Sequence, residues 1–253
     1  MPLSSDLRIA IEAADAADAV TMSRFRAADL SVEMKPDHTP VSEADRGAEQ
    51  AIRAVLKASR PADAVVGEEY GITGDSGRRW IIDPIDATVN FVRGVPVWAT
   101  LIALEIDGEV AVGVVSAPAL RSRWWAGRGL GAWANARRVT VSATNRIEDA
   151  HLSINSVVTH EGQGRGPQIL ALSRRCTRTR GFGDFWSFML LAEGAVDIVV
   201  EPLAAVWDLA PLQVMVEEAG GRFTDLNGNR TIAGGNAVAT NGVLHKSVLE
   251  AMR

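Results

Sequence analysis

Acidic residues in this sequence stand at the ends of short apolar runs, where side chains from separate strands can meet. The acidic stretches are Gly67-Glu68-Glu69 after Val65-Val66, Asp83-Pro84-Ile85-Asp86 after Trp80-Ile81-Ile82, and Asp208 after Val206-Trp207. Carboxylates at the ends of buried strands lie close to an apolar interior, in which an uncompensated charge is costly. Several of them converging would repel one another unless a cation neutralised them, and oxygen ligands without cysteine select Mg²⁺, Mn²⁺ or Ca²⁺. The pattern therefore predicts a divalent-metal site.

Each acidic residue also has a structural interpretation that needs no metal. Asp208 can cap the helix predicted to follow it, and Asp45 stands three residues after Ser42, which is the spacing of a capping box. The two glutamates can be ordinary surface acids, and the two aspartates around Pro84 can be turn formers. The features nevertheless occur together, in a fixed order and with distinctive neighbours. That combination favours a functional site.

Hydrophobic spacing predicts the elements that must hold these side chains. Residues 35–40 contain two prolines and are predicted as a loop, and Asp107-Gly108 between two apolar runs predicts a β-hairpin. After about residue 145 the pattern alternates between strands and helices, so we expect one layered unit with two packed halves, about 1–144 (α+β) and about 145–253 (α/β). The predicted helices cover residues 5–28, 42–60, 184–193 and 208–219, and the predicted strands lie within 65–143 and at 152–157 and 195–201.

The composition limits which partners we expect. The chain has 253 residues, a net charge of −5, 47% hydrophobic and 23% charged residues, which is typical of globular proteins. No Lys/Arg run builds a basic face, so nucleic acid is not an expected partner. Residues 1–10 lack the pattern of a signal peptide, and no stretch approaches the roughly 20 apolar residues that span a bilayer. With Cys176 as the single cysteine, we expect a soluble, cytoplasmic protein without a disulfide or a membrane partner.

The neighbours of the acidic residues resemble two signatures of the inositol monophosphatase superfamily. Residues 80–94 read W-I-I-D-P-I-D-A-T-V-N-F-V-R-G, similar to W-x-x-D-P-[ILV]-D-G-T-x-N-F-x-x-G, and residues 207–210 read W-D-L-A, similar to W-D-x-A, with E-A-G-G following at 218–221. Gly67-Glu68-Glu69 and the pattern Lys35-x-Asp37-x-Thr39-x-Val41-x-x-x-Asp45 complete the set. The resemblance covers nearly the whole chain.

The resemblance implies an α+β fold, a layered αβαβα sandwich of the inositol monophosphatase/fructose-1,6-bisphosphatase type, with the site where the halves meet. It also implies two or three Mg²⁺ ions, for which Mn²⁺ can substitute, and a homodimer. The implied ligands are Glu68, Asp83 and the backbone carbonyl of Ile85 for the first ion, and Asp83, Asp86 and Asp208 for the second. Glu69 beside this set would act through a water, and Asp45 would pair with Thr88 or reach a third ion.

The chemistry of a phosphate monoester explains why such a site needs metal ions. The dianion repels hydroxide and its alkoxide is a poor leaving group, whereas one ion lowers the pKa of a bound water and another stabilises the departing oxygen. Asp45 and Thr88, with Glu68, are the candidates that orient or deprotonate that water. The backbone N–H groups of Ala87 and Thr88, at a predicted helix start, can bind phosphate oxygens. Metal ions would thus make an acidic protein attractive to phosphate.

Further motifs resemble the actinobacterial histidinol-phosphate phosphatases, among them N-F-V-R-G-V-P-V-W at 90–98 and G-D-F at 183–185. This implies hydrolysis of histidinol phosphate to histidinol and phosphate in histidine biosynthesis. Histidinol carries an ammonium and an imidazole, so its pocket needs acceptors. Asp184 at a helix start and Glu201 at a strand end fit by position, with a helix cap and a solvated strand end as the alternatives. Inositol phosphate, a nucleotide 3′-phosphate and fructose bisphosphate stay open as substrates, because Glu201 would also suit hydroxyl groups.

One departure from the signature concerns Ala87, which replaces the glycine of Asp-Gly-Thr. Glycine there permits a positive φ or a close approach of the backbone to phosphate, and a methyl group can obstruct either. If φ is negative, alanine should be tolerated. A low-activity variant, an altered substrate preference and a catalytically weakened metal- and phosphate-binding homologue stay open, although retention of every candidate metal carboxylate argues against the last.

Overall fold

The computed structural model describes residues 4–36 and 38–253. The helices are α1 (Ser5–Arg24), α2 (Glu43–Ser59), α3 (Thr88–Val92), α4 (Val157–Gly162), α5 (Gly166–Arg175), α6 (Asp184–Ala192), α7 (Val206–Glu218) and α8 (His245–Ala251). The strands are β1 (Val32–Met34), β2 (Pro40–Ser42), β3 (Ala64–Gly67), β4 (Gly71–Thr73), β5 (Arg78–Asp86), β6 (Ala99–Ile106), β7 (Glu109–Ala117), β8 (Ser122–Gly127), β9 (Gly131–Ala134), β10 (Arg137–Val139), β11 (His151–Ile154), β12 (Arg178–Arg180), β13 (Ile198–Glu201), β14 (Arg222–Thr224) and β15 (Ala237–Thr240). Among the described helices, none combines the length and the apolar character needed to cross a membrane.

The strands form a large sheet and a small sheet, with a hairpin of β1 and β2 beside them. Over the described residues the large sheet has the order β10-β9-β8-β7-β6-β5-β3-β4, and the small sheet has the order β12-β11-β13-β15-β14. The parallel pair β3 and β5 places two strand ends side by side at one edge region of the large sheet. The chain passes from the large to the small sheet between Val139 and His151. The proposed division of one unit into halves near residue 145 stays a prediction.

The large sheet is covered on both of its faces. On β5, Trp80 and Ile82 pack in the same apolar cluster as residues of α1 and α2, whereas Ile81 belongs to the cluster on the opposite face. On β6, Leu101 and Ile102 divide in the same way, because successive side chains of a strand point to opposite faces. Burial on both faces explains why these strands read as continuous apolar runs.

Helices α6 and α7 fill the layer between the two sheets. Phe185 of α6 belongs to the same apolar cluster as Ile81 of the large sheet and Val199 of the small sheet. The outer face of the small sheet packs against α5 and α8 through Leu172 and Val248. The layers therefore run α1/α2, large sheet, α6/α7, small sheet, α5/α8, and the predicted αβαβα sandwich is confirmed.

A glycine sets how closely α7 approaches the large sheet. A Cβ atom added to Gly113 of β7 would lie 2.9 Å from the carbonyl oxygen of Pro211 and 2.6 Å from Cγ1 of Val214. Real Cβ atoms are not found so close to backbone or side-chain atoms, so this position requires glycine for space. The contact holds the first half of α7, and with it Asp208, against the sheet.

The predicted hairpin at Asp107-Gly108 is confirmed, and the two residues join β6 to β7 with φ values of 50° and 82°.

Several predicted element bounds are wrong by a few residues. α1 ends at Arg24 rather than at 28, because Phe25 is extended and Arg26 has a φ of 64°. The strand predicted at 152–157 ends at Ile154, since Ser156 caps α4 and Val157 is its first residue. The strand predicted at 195–201 begins later, at 198.

We predict that Gly113→Ala lowers the free energy of unfolding by about 1–3 kcal/mol, because the added methyl group forces α7 and the large sheet apart. Urea denaturation, monitored by circular dichroism, measures the free energy of unfolding. Gly162→Ala in α4 is the control, since its added Cβ meets nothing within 4 Å in the described part of the chain. We expect the control to be neutral or slightly stabilising. Equal stabilities of the two variants would contradict the prediction.

Candidate active site

A cluster of aspartates lies where β5 and α7 meet. Asp83, Asp86 and Asp208 bring carboxylate oxygens within 4.8 Å of one another. Side chains three residues apart on a regular strand point to opposite faces, but the register of β5 against β6 shifts between Asp83 and Asp86. This irregularity allows both carboxylates of one strand to reach the same cluster. β5 thus continues through residues that the sequence indicated as its end.

Backbone N–H groups orient each carboxylate of this aspartate cluster. The donors and acceptors are Ile85 N–H to Asp83 Oδ1 at 3.0 Å, Phe185 N–H to Asp86 Oδ2 at 2.8 Å, and Ala205 N–H to Asp208 Oδ2 at 2.8 Å. The sequence offered Asp208 as the residue that caps a helix following it, but Ala205 is the N-cap of α7 and Asp208 is the third residue of that helix. Its carboxylate accepts the N–H of the N-cap residue, so Asp208 stabilises the first turn of α7 and belongs to the aspartate cluster at the same time.

Burial and mutual repulsion raise the pKa values of these aspartates. The pKa of Asp83, which is 2% exposed, lies well above its usual range because of burial and then because of neighbouring carboxylates, Glu68 first. The pKa of Asp86 is also raised well above its usual range, by burial and by the charges of Asp184 and Asp208. Burial is the main cause that raises the pKa of Asp208 to about 6. Negative charge is therefore costly at this cluster.

The donor set of the cluster fits a hard divalent cation. Carboxylate and carbonyl oxygens are the ligands that Mg²⁺ and Ca²⁺ prefer. A cation among them would offset the repulsion that raises their pKa values. The aspartates line a cavity of about 530 Å³ together with Glu68, Ile85 and Thr88. The cluster can therefore bind a metal ion.

Glu68 lies beside Asp83 because β3 runs parallel to β5. Gly67, the last residue of β3, pairs with Ile82, and the N–H of Glu68 donates to the carbonyl of Ile82 at 3.2 Å. The residue after Gly67 and the residue after Ile82 are therefore neighbours. Two strand ends that the sequence showed only as separate acidic stretches meet at one cavity.

Lys35 is a cation of this site that the sequence reasoning left without a role. Its Nζ lies 2.6 Å from Glu68 Oε1 and 2.7 Å from Glu69 Oε1. Burial lowers the pKa of Lys35, but the contacts with the two glutamates outweigh it and the net pKa is raised. The signal available in the sequence was its place in the pattern before Asp45. Asp37 of the same pattern lies outside the described residues.

Asp45 connects the start of α2 to Thr88. The Oγ1 atom of Thr88 lies 3.1 Å from Asp45 Oδ1 and 2.9 Å from the carbonyl oxygen of Ile85, so its one proton is shared between two acceptors. Asp45 Oδ2 accepts the N–H of Ser42 at 2.7 Å, which is the capping box that the sequence indicated. The structural and the functional interpretation of Asp45 are therefore compatible. Burial raises its pKa.

Ala87 adopts a left-handed conformation, with φ 65° and ψ 48°. The φ is positive, so the condition under which alanine would be free of strain is not met, and the conformation costs about 1–2 kcal/mol. Its side chain packs against an apolar cluster that contains Ile85, Phe91 and Trp98. Burial of the methyl group there offsets part of the strain, and this is how the site accommodates alanine in place of glycine.

Asp184 and Glu201 line a smaller cavity, of about 90 Å³, that adjoins the aspartate cluster. Asp86 and Asp208 line both this cavity and the larger one, so the two cavities adjoin at these side chains. Asp184 is the first residue of α6 and has a φ of 46° after Gly183, whose φ is 77°. The structure therefore brings the two predicted substrate residues to the edge of the predicted metal site.

Glu201 is a buried carboxylate with an unused acceptor. It is 6% exposed, and its Oε1 has no hydrogen-bond partner among the described residues. Burial, followed by the charge of Asp184, raises its pKa to about 8. Asn155, which the sequence reasoning missed, lines both cavities and donates through Nδ2 to Asp184 Oδ1 at 3.3 Å. A single asparagine after a strand carries no signal that would have identified it.

Comparison with known proteins places the chain among phosphatases. Residues 3–253 match the inositol monophosphatase family. The histidinol-phosphatase of Streptomyces coelicolor is 52% identical over 253 residues, covering 96% of this chain and 95% of that protein. The histidinol-phosphatase of Mycobacterium tuberculosis is 52% identical over 250 residues, covering 96% of each chain. The inositol-1-monophosphatase of Mesorhizobium japonicum is 34% identical over 232 residues, covering 88% of this chain and 86% of that protein.

Solved structures share the same layered fold. The extragenic suppressor protein suhB from Bartonella henselae has a TM-score of 0.91 and 32% identity, covering 99% of both chains. The Thermotoga maritima IMPase has a TM-score of 0.88 and 32% identity, covering 98% of this chain and 97% of that chain.

We predict that Ala87→Gly changes the free energy of unfolding by less than about 1 kcal/mol, because relief of the left-handed strain is offset by loss of the methyl contact and by a more flexible unfolded chain. Ala87→Val should lower it by more than about 1 kcal/mol, since a β-branched side chain tolerates this φ poorly. Urea denaturation measures both.

Ala119→Gly is the matched control, because Ala119 packs against the same apolar cluster and its φ is not positive. It loses a methyl contact without relief of strain and should cost more stability than Ala87→Gly. A larger loss for Ala87→Gly than for the control would show that Ala87 is unstrained.

Proposed function

The chain belongs to the inositol monophosphatase family, and from that premise we propose that it is a Mg²⁺-dependent phosphatase that hydrolyses histidinol phosphate to histidinol and phosphate. The observation that carries the proposal is that the aspartate cluster directly adjoins the cavity of Asp184 and Glu201. The first part suits divalent ions and a phosphate, and the second suits the cationic remainder of the substrate. The similarity to two histidinol-phosphatases supports a place in histidine biosynthesis.

Two or three Mg²⁺ ions would be held by the residues of the larger cavity, and Mn²⁺ would substitute. The proposed ligands are Glu68, Asp83 and the carbonyl of Ile85 for one ion, and Asp83, Asp86 and Asp208 for another. When bound, such ions lower the pKa of a water and stabilise the leaving oxygen of a phosphate ester. Glu69, which contacts Lys35, would act on this set through a water.

Asp45 and Thr88 would move the proton of the attacking water. Thr88 Oγ1 lies 3.1 Å from Asp45 Oδ1, so a water that donates to Thr88 can pass its proton towards the aspartate. Glu68 lines the same cavity and would help to orient that water. The backbone N–H groups of Ala87 and Thr88, at the start of α3, would donate to the phosphate oxygens.

Asp184 and Glu201 would accept hydrogen bonds from the ammonium and the imidazole of histidinol. The unused Oε1 of Glu201 supports this role. A cation beside Glu201 would favour its ionised form and lower its raised pKa. Asp184 discriminates better between substrates, because Glu201 would serve the hydroxyl groups of an inositol phosphate equally well.

We also expect a homodimer in the cytoplasm. Trp125 and Trp133 stack on each other with ring centroids 5.2 Å apart and are only partly buried. Aromatic side chains of this kind are enriched at protein interfaces. The biosynthetic relatives support a cytoplasmic location.

The proposal is tested by phosphate release from histidinol phosphate, inositol 1-phosphate, a nucleotide 3′-phosphate and fructose bisphosphate, with Mg²⁺ and with a chelator. We expect histidinol phosphate to be preferred and the chelator to abolish turnover. Asp83→Asn should remove activity while the fold remains, because it deletes a carboxylate proposed to bind both ions.

Asp63→Asn is the control for Asp83→Asn, since the Asp63 side chain is 7% exposed and bonds to Arg78, away from the cavity. It should lower stability but keep turnover. Failure to hydrolyse any of the monoesters would contradict the proposal that the protein is a phosphatase. A preference for inositol phosphate would contradict the assignment of histidinol phosphate as the substrate. A wild-type rate in Asp83→Asn would refute the ligand assignment.

We predict that Asp184→Asn lowers kcat/KM for histidinol phosphate about tenfold or more, because a charged hydrogen bond to the substrate cation is lost. Asparagine tolerates the left-handed φ of 46°, so the substitution tests charge rather than backbone conformation.

Hydrolysis of inositol 1-phosphate by the same variant is the matched comparison, because that substrate carries no cation. Its kcat/KM should change little. Equal losses for the two substrates would mean that Asp184 supports the site in general and does not recognise the cation.

A further inference from the structure

Helix α2 presents three charged side chains at four-residue intervals on one face. They are Asp45, Glu49 and Arg53. Residues four apart lie one above the other on a helix. Asp45 orients Thr88, as described above. Glu49 lies one turn further along, is fully buried, and has no part in the proposed chemistry.

Glu49 binds the turn that carries Glu68 and Glu69. Its Oε2 accepts the N–H of Glu69 at 2.8 Å, and its Oε1 accepts the N–H of Tyr70 at 3.3 Å and the Nε–H of Arg53 at 2.7 Å. Both oxygens are therefore used, and the buried charge is paired. A carboxylate with this set of donors fixes the path of the backbone immediately after Glu68.

Arg53 extends this attachment to the strand that follows the turn. Its guanidinium donates to the Oγ1 of Thr73 at 2.9 Å and to the carbonyl of Gly71 at 2.6 Å. The pair Glu49–Arg53 therefore holds both the turn and β4 to α2. Since α2 also carries Asp45, one helix sets the positions of two separate segments of the site.

Gly67 is required here for space. An added Cβ would lie 1.9 Å from Glu49 Oε1 and 2.8 Å from Oε2, and Gly67 does not have a left-handed φ. The glycine before the two glutamates thus admits the carboxylate of Glu49 against the backbone. Its presence in the sequence reflects a contact with a residue 18 positions earlier.

We propose that Glu49 is a positioning residue that sets the metal affinity of the site by fixing the turn that aims Glu68 at the aspartate cluster. This rests on the proposed role of Glu68 as a metal ligand. A merely structural anchor between helix and sheet would affect stability alone, whereas a positioning residue also affects metal binding. Partners that orient metal ligands typically contribute about 10–100-fold to metal affinity.

The test measures Mn²⁺ binding to the whole chain in the absence of substrate. Binding is measured by electron paramagnetic resonance and by calorimetry. In Glu49→Gln, an amide NH₂ group replaces one carboxylate oxygen. A donor then faces the backbone N–H or the guanidinium that this oxygen had accepted from, so one hydrogen bond is lost. We expect binding to weaken about tenfold or more. In the activity assay, the Mg²⁺ concentration for half-maximal rate should rise while the rate at saturating Mg²⁺ largely recovers.

Glu105→Gln is the matched control. Glu105 is 6% exposed and pairs through both oxygens with Arg79, at 3.0 Å and 2.9 Å, on the strands β5 and β6. It removes a comparable buried charge that does not contact the turn. We expect it to lower stability and to leave Mn²⁺ affinity unchanged. Equal Mn²⁺ affinities in the two variants would overturn the proposal.

If Glu49→Gln does not fold, Arg53→Lys serves as a second variant for the same test. It keeps a positive charge near Glu49 but loses the forked contacts to Gly71 and Thr73, so Mn²⁺ affinity should fall by a smaller factor. Unchanged affinity in that folded variant would also overturn the proposal. If the wild-type chain bound no Mn²⁺, the proposed function itself would fail, and the role of Glu49 would fail with it.

Discussion

Repulsion among buried carboxylates is the constraint on which the rest of the site depends. Asp83, Asp86 and Asp208 come within 4.8 Å of one another, and their pKa values are raised by burial and by one another's charge. An arrangement of this kind persists only if the surrounding fold is stable enough to hold it. The two covered sheets and the closely packed helix α7 provide that stability, because they fix the ends of β5 and α7 from opposite sides.

Main-chain N–H groups are the means by which the fold holds each acid in place. Asp45, Asp83, Asp86 and Asp208 each accept one such bond, at distances between 2.7 and 3.0 Å. A carboxylate held through one oxygen keeps its other oxygen available for a second contact, as Asp45 Oδ1 makes with Thr88. The bonds that look like ordinary helix caps and turns in the sequence are thus the same bonds that orient the functional oxygens.

Sequence patterns predicted features that depend on neighbouring residues, and the family resemblance predicted that distant residues such as Asp45 and Thr88 meet. Long-range contacts outside these signals were missed. The hairpin at Asp107-Gly108 and the layered architecture followed from local signals and the family resemblance. Lys35 and Asn155 approach their partners from 33 and 29 residues away, and nothing in their own surroundings indicates it. Ala87 packs against a cluster assembled from separate segments, and its own sequence neighbours did not reveal the positive φ. The proposed roles of the ligands stay predictions.

The first turn of α6 has a consequence for how substrate range can change during evolution. The side chain of Asp184 faces the proposed substrate cavity, while the next backbone N–H, that of Phe185, holds Asp86. Selection on substrate preference acts on side chains, whereas the N–H of residue 185 is present with any residue except proline at that position. Residue 184 can therefore vary, among residues that tolerate its φ of 46°, without removing the bond that orients Asp86. This separation would let one scaffold acquire new substrates while its hydrolytic chemistry is inherited unchanged.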